Sequence, residues 1–318
     1  MSHADNFQGA GSIVGINWGS TNFRAYLISA DGVLLDEFSR PAGVAKLDRP
    51  GMEALMREVA LQWPEHVPPG SRYHSAVYAA GMIGSNVGWQ EASYVAAPAG
   101  LAQLGVGTVP TSIGGVQLRI VPGMTCTRGH DGGPDILRGE EIELFGFAQL
   151  HPEWDGFVAL PGTHTKWVRF GGGQLRDFFT SMSGEMFDRL TSSGLLASIV
   201  EGEAHAGEAF YEGVRLGSER ALGLGTLLFG ARARVIRGQL ARSEASSFIR
   251  GLLIGSEIAD ALAMHPGLKD ASVPLIGSGP VCQLYAAALE RLGVRSSFVD
   301  SRVACLMGFS ALHRAVEQ

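Results

Sequence analysis

The chain has 318 residues, about twice the length of a single domain, so two domains are the first expectation. Hydrophobic residues make up 46% and charged residues 18%, a composition that buries a large core and excludes a disordered chain. A formal net charge of −6 argues against a nucleic-acid binder, which needs a basic face for phosphates, and no apolar run is long enough to span a membrane.

The opening segment MSHADNFQGAGS lacks the basic start and apolar run of a secretory signal and reads as a tail. Residues 12–18 (SIVGINW) form an apolar strand that ends in Gly19, Ser20 and Thr21; residues 22–29 alternate as a second strand, Asp31-Gly32 is a hairpin pair, and a third strand starts at Val33. The spacing over residues 51–62 predicts a helix, ended by Pro64, Pro68 and Pro69. Residues 74–80 read as a strand running into the glycine-punctuated loop GMIGSNVGW, and residues 118–123 as another strand. From Asp135, ILRGEEIELFGFAQL has helical periodicity, with Asp135 as its N-cap.

A second copy of the opening follows. Residues 156–161 are an apolar strand ending in Gly162, Thr163, His164 and Thr165; residues 166–170 and 174–180 are strands separated by a glycine turn. The shared order, strand, Gly-Ser/Thr turn, strand, glycine turn, strand, implies duplicated lobes. Helical sequence continues to about residue 265, then strand (271–277), helix (281–292), strand (295–300) and a last helix. Strands alternate with helices in both halves, so the fold class is α/β, with a lobe boundary near residues 128–136. Cys126, Cys282 and Cys305 are odd in number and sit among apolar neighbours, as reduced buried thiols of a cytoplasmic protein do.

Several constellations carry chemistry. A Gly19-Ser20-Thr21 turn offers backbone N–H groups and hydroxyls to a phosphate; one such turn alone is an ordinary hairpin, but its repetition at Gly162-Thr163-His164-Thr165 favours a polyphosphate held from both sides. Lys166 beside the second turn is as readily a solvated strand-start residue as a phosphate ligand. Gly277-Ser278-Gly279 closes a strand and opens a helix, a turn against which a ribose and base can lie. Glu140 and Glu141, next to Arg138 and Gly139 at a helix start, are candidates for the general base of a hydroxyl phosphorylation. The loop with Gly84, Ser85, Asn86 and Trp89 suits a small ligand. Ser183-Gly184-Glu185 reads as a capping arrangement. No P-loop and no G-x-G-x-x-G after the first strand is present, which excludes a Walker-type NTPase and a Rossmann dehydrogenase.

INWGSTNFRAYL, AGMIGSNVGWQEASY, DILRGEEIELFGF, LPGTHTKWV and SMSGEMFDRL resemble, in order, the 2-dehydro-3-deoxygalactonokinase family. The resemblance implies the actin, Hsp70 and sugar-kinase fold: two ribonuclease-H-like lobes, residues 1–134 and 135–318, around a nucleotide cleft. It implies ATP-dependent phosphorylation of 2-dehydro-3-deoxy-D-galactonate to its 6-phosphate in galactonate catabolism, with Mg²⁺. Gly19, Ser20 and Thr21 match its first phosphate turn, Gly162, Thr163 and Thr165 its second, and Gly277, Ser278 and Gly279 its adenosine turn. Glu140 is the first choice for the base and Glu141 the second; Gly84, Ser85, Asn86, Trp89 and Arg138 fall to the sugar acid. Asn17 stands where kinases of this fold carry the aspartate that helps to hold hydrated Mg²⁺. A kinase for another keto-deoxy sugar acid, or a non-catalytic paralogue weakened at Asn17, is the rival reading, and a homodimer is compatible with the sequence.

Overall fold

A computed structural model describes residues 11–67, 76–277 and 279–317. In chain order the first half holds β1 (Ile13–Trp18), β2 (Phe23–Ile28), β3 (Leu34–Arg40), α1 (Arg49–Gln62), β4 (Val77–Gly81), β5 (Tyr94–Ala96), β6 (Ala99–Gly100), α2 (Leu101–Val106), β7 (Val109–Ile113), β8 (Val116–Ile120), β9 (Gly123–Thr127), β10 (Pro134–Leu137) and α3 (Glu140–Leu150). The second half holds β11 (Gly156–Leu160), β12 (Thr165–Gly171), β13 (Gln174–Ser181), α4 (Ser183–Ser192), α5 (Gly194–Ala197), α6 (Glu208–Glu219), α7 (Leu224–Ile236), α8 (Arg242–Met264), β14 (Ser272–Gly277), α9 (Gly279–Arg291), β15 (Arg295–Asp300) and α10 (Ser301–Val316).

Two six-stranded sheets carry the molecule, in the orders β3-β2-β1-β4-β8-β7 and β15-β14-β11-β12-β13-β6. In each, the opening hairpins are antiparallel and the first strand then pairs in parallel with a later one, β1 with β4 and β11 with β14. The duplication read from the sequence is thus a duplication of sheet topology, and both halves are ribonuclease-H-like. β1 (IVGINW) is apolar almost throughout because it is central and covered on both faces, the pattern of a strand between two layers.

One core joins the two sheets. It runs from Ile13, Tyr26 and Tyr78 through Phe145 and Phe147 of α3 and Phe309 and Leu312 of α10 to Val158, Val168 and Phe170. The last helix therefore returns to pack beside α3 between the sheets. The two helices cross so closely that a Cβ on Gly146 would meet Ala304 O, and one on Gly308 would meet Ile142 O. Separate cores fill the outer faces, under α1 in the first lobe and under α8 and α9 in the second. β6 lies early in the chain yet pairs with β13 of the second sheet.

The helix expected from Asp135 begins at Glu140. Residues 134–137 pair with β9 as a strand instead, and the carboxylate of Asp135 accepts from Thr180 N and Oγ1 (2.9 and 2.7 Å), so it caps no helix. Gly139 is the N-cap, at φ +108°, a left-handed conformation that favours glycine. β5, β6, β7, β9 and α2 carry too few residues of clear period to stand out in the sequence. Residues 74 and 75 of the expected strand, Pro68 and Pro69, and Ser278 of the proposed adenosine turn lie outside the described residues.

Candidate active site

The turn expected to hold the first phosphate site joins β1 to β2. Gly19 N donates to Asn22 O (3.0 Å), while the carbonyls of Thr21, Gly19 and Ser20 accept in turn from Gly43, Val44 and Ala45 N (3.0, 3.0 and 3.1 Å). Those carbonyls are satisfied from behind, whereas the amides of Ser20 and Thr21 make no backbone bond among the described residues and the two residues are exposed. A turn with its carbonyls occupied and its amides open suits an anion.

The second turn repeats this between β11 and β12. Glu185 N donates to Thr163 O (2.9 Å), and Gly184 packs on Gly162 and Thr163 so tightly that it has no room for a Cβ. Ser183-Gly184-Glu185 is therefore more than a helix start: it is the brace behind the turn. Thr163 is exposed. Thr165, grouped with the turn's ligands from sequence, is fully buried; its hydroxyl accepts from Gly162 N (3.4 Å) and bonds the Tyr285 hydroxyl (2.8 Å), so it is not one of the turn's open donors. Behind it, Glu257 accepts from Trp167 Nε1 (2.8 Å), Tyr285 OH (2.9 Å) and Ser183 Oγ. Burial pushes the Glu257 carboxyl up, and the donors from Ser183 and Trp167 partly oppose that shift. The proposed adenosine turn adjoins this one, since a Cβ on Gly277 would lie 3.3 Å from Pro161 O.

Between the two turns stands the start of α3. A Cβ on Gly139 would lie 3.3 Å from Gly81 Cα, and one on Gly81 would lie 3.6 Å from Asn17 Oδ1 and 2.8 Å from Trp18 O. The helix N-terminus is thereby set against the end of β1, beside Asn17. On its other side, Glu140 Oε1 is 3.9 Å from Lys166 Nζ, the residue that follows the second turn. The start of α3 thus lies close to Gly81 and Asn17 through Gly139 on one side and to Lys166 through Glu140 on the other.

The two candidate bases separate clearly. Glu140 is partly exposed, with Oε2 accepting from Arg138 N (3.0 Å). Glu141 is fully buried, with Oε2 accepting from Gly139 N (2.6 Å) and Oε1 without a hydrogen-bond partner. Burial first, and then the neighbouring Glu140 charge, push the Glu141 carboxyl up to about 8. Glu143, two residues further along α3 and part-buried, is likewise raised to about 8, by desolvation first and then by Glu140 and Glu141.

The glycine-rich loop lies against Arg138. Nη2 of Arg138 donates to Ala92 O (2.7 Å), its guanidinium stacks 4.4 Å from the Tyr94 ring centroid, and its Nη1 fills the space a Cβ on Gly84 would need. Gly84 and Ser85 are buried, and the Ser85 hydroxyl donates to Met82 O (2.7 Å), so it braces the loop. Asn86 is exposed. Trp89 is pinned by Arg49, which lies 4.5 Å from its ring centroid and donates to its carbonyl (2.7 Å). Gly43, Arg49, the bracing role of Gly184 and the burial of Lys166 have no reading in the sequence; the signal for the two glycines is their common distance from a third strand.

A family model described as 2-keto-3-deoxy-galactonokinase matches residues 17–312. The 2-dehydro-3-deoxygalactonokinase of Escherichia coli (strain K12) is 33% identical over 306 residues, covering 95% of this chain and 98% of that protein. A crystal structure from Sinorhizobium meliloti, assigned as a 2-dehydro-3-deoxygalactonokinase, superposes with a TM-score of 0.86 at 31% identity, over 96% of this chain and 99% of its own. The ADPNP-bound activator of 2-hydroxyisocaproyl-CoA dehydratase from Clostridium difficile shares the fold, with a TM-score of 0.50 at 11% identity over 96% of each chain.

Proposed function

The chain belongs to the 2-keto-3-deoxy-galactonokinase family, and from this we propose that it transfers the γ-phosphoryl group of ATP to the terminal hydroxyl of 2-dehydro-3-deoxy-D-galactonate, giving the 6-phosphate in galactonate catabolism. The observation that carries the reading is the position of Glu140: a carboxylate at a helix start, between Asn17 and Gly81 on one side and Lys166 with the second phosphate turn on the other. We assign residues 1–134 and 135–318 to the two lobes, with β6 pairing across that division.

Glu140 takes the proton of the sugar hydroxyl as its oxygen attacks the γ-phosphorus, and the bond to the β-phosphate oxygen breaks so that ADP leaves. The amides of Ser20, Thr21 and Thr163 are suited to the phosphates, and Gly277 and Gly279 to the adenosine. Thr165 holds the second turn in shape through Gly162 N and Tyr285. The loop around Asn86 and Trp89, anchored on Arg138, borders the sugar acid. Lobe closure excludes water from the transferring group and so limits hydrolysis of ATP.

For Mg²⁺, no three His, Cys, Asp or Glu side chains gather as a metal site among the described residues, and Asn17 offers an amide oxygen beside Gly81. That donor set fits a hydrated ion carried by the ATP phosphates, with Asn17 as the adjoining protein oxygen. When bound, Mg²⁺ offsets the negative charge of the β- and γ-phosphates. With ATP as donor, the reaction belongs in the cytoplasm.

A coupled ADP-release assay over a panel of keto-deoxy sugar acids tests the reading. The expected result is Mg²⁺-dependent turnover with the galactonate-derived acid preferred. Turnover preferring another acid changes the substrate, and ATP binding with no turnover on any acid replaces the reading with that of a non-catalytic binder.

A further inference from the structure

Lys166, which the sequence leaves as readily solvated as functional, is only 5% exposed. Successive strand residues point to opposite faces. Thr165 and Trp167 face α8 and α9, where they bond Tyr285 and Glu257. Lys166 therefore faces the other way, with its neighbour in register Leu160 and with Val168, toward the core shared with α3. There its ammonium ends 3.9 Å from Glu140 Oε1, beyond hydrogen-bond length, and makes no hydrogen bond among the described residues.

An ammonium has three donors and no acceptor, so the Nζ at the end of this covered side chain can take an anionic partner beside Glu140. A carboxylate at 3.9 Å leaves room for one. The partner that suits the site is anionic, rich in oxygen, and within reach of both Glu140 and the turn that immediately precedes Lys166 in the chain. A terminal phosphoryl group held by that turn meets all three requirements; the α- and β-phosphates, to which the open turn amides are suited, need no contact with Glu140.

Resting on the reading of Glu140 as base and of residues 162–164 as a phosphate turn, we propose that Lys166 is a catalytic residue, its ammonium binding the γ-phosphoryl oxygens during transfer while facing the Glu140 carboxylate. In the step itself the hydroxyl proton goes to Glu140, the new P–O bond forms to the sugar oxygen, and the electron pair of the broken bond leaves on ADP. Lys166 keeps its protons throughout. It attracts the charge that spreads over the equatorial oxygens and keeps the carboxylate turned toward the hydroxyl, and it discriminates a triphosphate from a diphosphate.

The test compares Lys166→Met and Lys166→Arg with the unaltered full chain. Calorimetry gives the affinities for ADP and for a non-hydrolysable triphosphate analogue, melting gives Tm, and the coupled assay gives kcat. The Met variant is expected to keep its affinity for ADP, to lose the added affinity for the analogue, and to lose about 10²–10³-fold in kcat, the range for removing one preorganised donor to developing charge. The Arg variant is expected to keep the triphosphate preference and recover part of kcat, because the charge is retained in a different geometry. A Met variant with unchanged triphosphate preference and kcat overturns the proposal. So does one that loses both nucleotides equally as Tm falls, which is the behaviour of a structural ion pair. Lys166→Gln, read by the same affinity ratio, replaces the Met variant if that protein does not fold. An unaltered chain that binds both nucleotides but phosphorylates no sugar acid defeats the proposed function, while the affinity ratio of the variants still decides the role of Lys166.

Discussion

Gly43 and Gly184 occupy equivalent positions in the two halves of the chain: each lies three residues beyond the end of its lobe's third strand, at Arg40 or Ser181, and each packs on the backbone of that lobe's proposed phosphate turn without room for a Cβ. The duplication therefore extends past the hairpins to the element that sets the shape of each turn. An alanine at position 43 would meet Ser20 O and Thr21 N, and one at 184 would meet Gly162 O and Thr163 Cα.

Both alanines should therefore lower Tm and raise the KM for ATP, since backbone cannot yield as a side-chain tip does. Gly162→Ala is the control with the opposite profile. A Cβ there meets nothing within 4 Å, so Tm should hold while the KM for ATP rises if, as proposed, a phosphate approaches through that open space. Thermal melts with and without ATP, together with ATP titrations, read the difference. A Gly162→Ala protein with unaltered KM would show that ATP does not approach this turn.

The parts of this architecture that the sequence discloses are those with a local signature. The hairpins were legible because β1, β2, β11 and β12 are dense in apolar residues and closed by Gly-Ser/Thr turns, and their repetition gave the two-lobed topology. Asp135 misled because a helix N-cap and a strand residue that accepts from Thr180, 45 positions away, look alike without the partner. The hydroxyls of Thr165 and Ser85 suggest ligand contacts in the sequence, yet Tyr285 and Met82 O engage them inside the protein. Lys166 failed in the other direction. Its burial depends on α3 packing against the sheet in which it lies, and no property of its own strand reports that.

Asn17 leaves the cleft with an amide where a carboxylate would bind a hydrated cation more strongly. Asn17→Asp should lower the Mg²⁺ concentration needed for half-maximal turnover. The exchange is nearly isosteric and the residue is half-buried, so Tm should change little. Superimposable Mg²⁺ titration curves for the two proteins would remove position 17 from any metal role.

Two carboxyls of α3, Glu141 fully buried and Glu143 partly so, predict how stability varies with pH. Glu141 and Glu143 are raised to about 8, against about 4.3 for a glutamate in an unfolded chain. Between those values the folded protein holds protons that the unfolded chain releases, so stability falls as pH rises and levels off above about 8. Each such group contributes a slope of about 1.4 kcal/mol per pH unit inside that window. Glu141→Gln keeps a neutral side chain at every pH and should flatten part of the slope. Melting curves from pH 5 to 9 on both proteins check this, and stability that rises across the window in the unaltered chain would contradict it.

Glu140 and Glu141 are adjacent, but the helix turns about 100° between them, so only one can address the sugar hydroxyl. The surroundings favour Glu140. It is partly exposed beside Lys166 and Asn17's strand end, whereas Glu141 is sealed from solvent and occupied with Gly139 N. Glu140→Gln should therefore reduce kcat by about 10²–10⁴, the usual contribution of a positioned general base. The amide oxygen of the new side chain can still accept from Arg138 N, so the fold and the affinity for ADP should survive. Glu141→Gln should retain most turnover and act chiefly on the pH dependence of stability. The decisive measurement is kcat at saturating ATP and sugar acid for both single variants and the double variant. Loss concentrated in Glu141→Gln would put the base one residue further along α3, in a group that must first be uncovered. Near-full turnover in all three would make both carboxylates caps of the helix start, which Arg138 N and Gly139 N already show they can be.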